Sequence, residues 1–94
     1  MRIPEVLKST YMMLYQVFPN GISEEDYWIV LYLLYDYMAD ENLAVVMSFF
    51  IDKPLAIIEN DIYRVCQMQL DSELLDKIKS KLEQCGFEEW KKVD

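Results

Sequence analysis

Apolar positions along the chain recur at three- and four-residue steps, the spacing of one helix face, and no stretch pairs with another as alternating strands would. Val6, Leu7, Tyr11, Leu14 and Phe18 form the first such stripe and predict a helix over 3–17. Pro4 suits its opening, where a missing N–H is not needed. Pro19 pushes Phe18 out of the α region and ends the helix near Val17. Pro19-Asn20-Gly21 reads as a turn, with Gly21 free to take a positive φ. Ser23-Glu24-Glu25-Asp26 then resembles a capping box with Asp in place of the usual Glu, and Ile22 and Tyr27 stand where a hydrophobic staple would close. The helix opened there is predicted over 24–38. Its middle, Tyr27 to Tyr35, is nine apolar residues long. A helix with no polar face belongs inside, so this one is expected to be the central element and to bury Leu31 and Leu34.

Three more helices follow. Asp40 is expected to cap one over 41–50, striped by Leu43, Val46, Met47 and Phe50. Pro54 opens another over 54–68, striped by Leu55, Ile58, Ile62 and Val65, although 54–59 taken alone also reads as extended. Asp71 caps the last, over 72–85, with Leu74, Leu75, Ile78, Leu82 and Cys85 on one side. Gly86 is the expected left-handed stop, with Phe87 folding back on Leu82. The fold class is therefore all-α, with about five helices in a single domain over 1–87 and a C-terminal tail over 88–94 that Trp90 anchors.

Composition narrows the chemistry. With 94 residues, 53% of them hydrophobic, the chain is long and apolar enough to bury a core. It has no histidine and only two glycines, which removes most enzyme chemistry. Nine basic residues stand against seventeen acidic, a net charge of −8. The acidity is heavier in residues 1–50, and it repels phosphate backbones and anionic membranes, so neither nucleic acid nor a membrane is expected as a partner. Lys77, Lys79, Lys81, Lys91 and Lys92 are interspersed with acids and read as a solvated face. The nine-residue apolar run falls well short of the ~20 residues that span a bilayer. Met1-Arg2-Ile3-Pro4-Glu5 has no apolar core of signal type. The expected location is the cytoplasm, where Cys66 and Cys85 would be free thiols.

Candidate sites are few. Without His or a CxxC pair there is no zinc-binding pattern, and no calcium-loop pattern or Gly-rich phosphate loop occurs. No serine sits in a G-x-S-x-G elbow. Asp36 and Asp40 are four apart, but Asp40 is better used as a cap. Cys66 and Cys85 would close adjacent antiparallel helices about 20 Å apart, beyond disulfide reach, and read as buried structural thiols. No catalytic, cofactor-binding or metal-binding residue is assigned, and no cofactor is expected. What remains is a wealth of Tyr, Trp and Met, residues enriched at interfaces. Trp28, Tyr32 and Tyr35, with Tyr15 and Met12 beside them, are the candidate partner-binding residues, for a protein partner or weak self-association. The bland alternative is core, with hydroxyls that reach water. A non-catalytic interaction module is the leading functional expectation. An acidic inhibitor or immunity-type protein that masks a basic toxin or nuclease is the alternative.

The stretch Leu14-Tyr15-Gln16-Val17-Phe18-Pro19-Asn20-Gly21-Ile22-Ser23-Glu24-Glu25-Asp26-Tyr27 resembles an aromatic-Pro-x-Gly-aliphatic-x-x-x-Asp-Tyr signature. That signature belongs to a small bacterial helical family, the domain-of-unknown-function family numbered thirty-three forty-nine. Asn60-Asp61-Ile62 is similar to the family's mid-chain Asp-Ile, and Leu82 through Phe87 to its Leu-x-x-x-Gly-aromatic end. Val17 stands where the family usually has Gly, Ser23 where it often has Pro, and its Arg-rich helices are absent. The resemblance implies five helices arranged as two small bundles sharing the central hydrophobic helix, in a monomeric or weakly associating protein. It implies no established activity.

Overall fold

A stripe of buried apolar side chains runs along each of the five longer helices of the computed structural model, which describes residues 3–92. Every regular element among the described residues is helical: a 3-10 turn at Glu5–Leu7, then α1 (Lys8–Val17), α2 (Glu24–Leu34), α3 (Asp40–Met47), α4 (Leu55–Val65), α5 (Ser72–Gln84) and α6 (Phe87–Lys91). Helix α2 packs against both α4 and α5. Helix α3 pairs with α4 on one side of it, while α1 and α6 pack with α5 on the other. Leu14, Leu31, Leu34, Met47, Ile62 and Leu82, contributed by α1 through α5, are fully buried in one continuous core. The radius of gyration, 12.2 Å, is close to the ~12 Å expected of a well-packed chain this long.

Local signals account for most of the boundaries. Phe18 leaves the helical region ahead of Pro19, and Gly21 takes φ +98°. Ser23 Oγ accepts from the Asp26 N–H at 3.2 Å, whereas the returning arm of the box does not form; the Asp side chain is one methylene shorter than Glu. Asp71 accepts from the N–H groups of Glu73 and Leu74 and starts α5. The segment 54–59 is helical from Leu55 onward, with Pro54 as its N-cap.

Five expectations need correction besides the ends of α3 and α4, which fall three residues early, at Met47 and Val65. The first helix does not run unbroken from residue 3: Pro4 stays extended outside it, a 3-10 turn comes first, and Val6 is 80% exposed. Helix α2 ends at Leu34 rather than 38, because the chain turns over Tyr35–Tyr37 to lay the Tyr37 ring edge-on against Phe87 and Trp90. Ala39, not Asp40, is the N-cap of α3, and Asp40 is its first helical residue, where the helix dipole favours its charge. Cys66 is exposed and Cys85 half-buried, both as free thiols. Cys66 sits just past the end of α4, where its Sγ–H reaches the Ile62 carbonyl rather than the core.

The fifth correction concerns the segment read as a tail. Gly86, at φ +92°, reverses the chain, and Phe87–Lys91 forms α6 against α1 and α5. Phe87 is buried, and the Trp90 indole N–H donates to the Thr10 hydroxyl at 2.8 Å. Residues 93–94 of that segment lie outside the described residues.

Candidate functional site

Helix α2 divides lengthwise. Tyr27, Ile29, Val30, Leu31 and Leu34 are buried. Trp28, Tyr32 and Tyr35 follow each other at steps of four and three, so they share a face. Trp28 and Tyr35 are half-buried and Tyr32 is 38% exposed. The Tyr32 and Tyr35 rings lie 6.0 Å apart, centroid to centroid. The Asp36 carboxylate beside the stripe raises the Tyr35 phenol above its ordinary pKa, with desolvation adding to it.

Tyr15 and Met12 have different surroundings. The Tyr15 ring, 46% exposed, stacks on Tyr11, which meets Phe49 and Phe50. Met12, 51% exposed, lines a groove with Cys85, Gly86 and Trp90. The α2 stripe is therefore the part of the candidate site that stands together on one face, and these two residues belong to the environments of α1 and α6.

Beside the stripe lies a polar network centred on a buried acid. Asp61 of α4, 3% exposed, accepts from the Tyr27 hydroxyl at 2.7 Å and from Lys53 Nζ at 3.1 Å. Lys53 also donates to Glu24 at 2.9 Å and lies 4.1 Å from the Tyr27 ring centroid. Arg64, one turn after Asp61, is 3.7 Å from its second oxygen and sits over the Trp28 ring. Two carboxylates thus face two cations. The network ties α2 to α4 and to the 48–54 connection, and it fixes Tyr27 and, through it, the neighbouring Trp28, whose rings meet edge-on. Burial, then the bond to Asp61, then the Asp61 and Glu24 charges hold the Tyr27 phenol far above its usual range. Burial alone would lower the Lys53 ammonium, but hydrogen bonds to Glu24 and Asp61, together with their charges, outweigh it and raise it. Tyr27 and Asp61 lie out of reach of solvent, so this pair acts by positioning the groups around it.

These shifts set an alkaline limit. A phenol or ammonium whose pKa is raised by folding stabilises the fold below its unfolded pKa, and that stability is lost as pH climbs toward the folded value. Stability should hold through neutral pH and fall above about pH 10, the ordinary tyrosine value. Tyr27→Phe should cost about 1–2 kcal/mol at pH 7 and make the alkaline decline shallower. Denaturant titrations at pH 7, 9 and 10.5 check both; an unchanged slope would mean that Tyr27 is not the group that titrates.

Asp40, Glu41 and Glu59 line a cleft of about 330 Å³ with Tyr63, which is 69% exposed. Among the described residues, no group of three or more Cys, Asp or Glu side chains is arranged to hold a metal ion. No helix among them is long and apolar enough to cross a membrane. No family model, curated protein or solved structure matches the chain.

Proposed function

We propose that this protein is a non-catalytic, cytoplasmic protein-interaction module whose docking face is the Trp28–Tyr32–Tyr35 stripe. The supporting observation is the lengthwise division of α2, with Tyr27 and four aliphatic residues inside the core and three adjacent aromatic residues kept partly in water. Tyr and Trp carry large apolar area with a polar tip and lose little side-chain freedom on binding, which suits a surface that is wet when free and dry when bound. The turn and stop motifs over 14–27 and 82–87 support placing the chain with the small bacterial helical family they resemble.

A photo-crosslinking residue at Tyr32 tests the reading in the native cytoplasm, with Lys79 on the solvated side of α5 as control. One discrete adduct from position 32, absent from position 79 and lost on Trp28→Ala, is expected. Equal labelling from both positions, or none from position 32, would refute the docking face.

The second reading, an acidic inhibitor of a basic toxin or nuclease, draws on the Asp40, Glu41 and Glu59 cleft. It predicts cross-links from Glu59 to a basic protein and none from Tyr32.

A further inference from the structure

The ends of the aromatic stripe carry charge. Glu25 stands three residues before Trp28 and Asp36 one residue after Tyr35, and both side chains are exposed. They stand eleven positions apart, which is about 16 Å at ~1.5 Å per helical residue, taking the two steps past Leu34 at the helical rise, since Tyr35 keeps right-handed helical dihedrals. Neither is in an ion pair among the described residues. The cations close to the stripe, Lys53 and Arg64, are already matched by Glu24 and Asp61. Lys53 and Arg64 lie against Trp28 at one end of the stripe but are balanced by those two acids, so the charge left unmatched beside the stripe is that of Glu25 and Asp36.

Building on the docking face proposed above, we propose that its occupant is a basic amphipathic segment of another protein, with apolar side chains over Tyr32 and Tyr35 and along the exposed part of Trp28, between two cationic residues that meet Glu25 and Asp36. Charge complementarity separates this occupant from the others. A second copy laid antiparallel along α2 sets Glu25 against Asp36 at both ends, and a parallel copy sets each acid against itself. Either arrangement opposes like charges between two molecules of net charge −8. Nucleic acid and anionic lipid meet the same repulsion. A neutral apolar segment would strip water from both carboxylates and return no partner. Only a segment with cations near both ends satisfies the stripe and its two ends together, and its aliphatic stems or guanidinium planes also pack well on tyrosine faces.

The test titrates the ¹⁵N-labelled chain with two synthetic helical peptides of about eighteen residues, long enough to lie along the stripe. Both carry a leucine stripe; one has arginines eleven residues apart at its ends, the other glutamates. The arginine peptide should shift the Trp28 indole N–H and the amides of 25–36, and should bind about tenfold tighter than its acidic twin. Glu25→Gln with Asp36→Asn should weaken the arginine peptide about five- to tenfold with the remaining spectrum unmoved. Glu25→Lys with Asp36→Lys should reverse the preference. Equal binding of the two peptides would refute the basic occupant and leave α2 a docking face. Failure of the arginine peptide to shift Trp28 would refute the basic occupant too, while the cross-link from position 32 reports independently on the face itself.

Discussion

Leu34→Ala should lower the unfolding free energy by about 2–5 kcal/mol, the range for truncating a buried leucine where the surroundings only partly collapse. Leu34 is fully inaccessible and joins the core at the last turn of α2, a helix that packs against both α4 and α5. Neither neighbour can follow the lost side chain without giving up contact with α3 on one side or α1 and α6 on the other. A chain of this length has about 5–14 kcal/mol of stability in total, so the variant should melt within the ordinary laboratory range. Denaturant unfolding reads the effect as a lower midpoint at unchanged slope. A loss below about 1 kcal/mol would place Leu34 at a solvated or partner-facing position.

Asp61→Ala should cost about 2–4 kcal/mol, for a different reason. The substitution removes a charge-assisted bond and leaves the Tyr27 hydroxyl buried with no acceptor, and an unpaired buried donor costs more than a typical bond contributes. The Lys53 share is smaller, because its side chain remains 21% exposed and keeps Glu24, and partly solvated ion pairs contribute little. The decisive form is the double-mutant cycle with Tyr27→Phe. Once Tyr27 lacks its hydroxyl, Asp61→Ala should cost about 1–3 kcal/mol less than it does alone. Additive losses would show that the 2.7 Å bond does not couple α2 to α4.

The contrast between these two sites follows what could be read along the chain. The Leu34 environment was legible, because helical periodicity needs only neighbours within two turns, and the caps at Ser23 and Asp71 and the stops at Phe18 and Gly86 are equally local. Contacts between distant residues were not. Tyr27 and Asp61 are 34 positions apart, and Trp90 and Thr10 are 80 apart. No spacing rule links such pairs, so α6 looked like a tail and Tyr37 like one more helical residue. One signal for the network was present: Asp61 interrupts the apolar stripe of Ile58, Ile62 and Val65, and an acid in such a position requires a partner in the core. The stripe of Trp28, Tyr32 and Tyr35 was visible as spacing. That it stays partly in water depends on how α4 and α5 cover the helix, which is a tertiary fact.

Adjacent positions on α2 test that division most directly. The measurement is thermal unfolding of Leu31→Glu beside Tyr32→Glu, followed by circular dichroism. Leu31 is fully buried and Tyr32 exposed. The glutamate at position 31 should abolish cooperative unfolding, since a lone charge in the core has neither water nor a partner. The same residue at position 32 should leave the helical spectrum intact and move the midpoint by no more than about 4 °C, as a surface substitution does. Loss of the cooperative transition in Tyr32→Glu would make the aromatic stripe part of the core and remove the docking face.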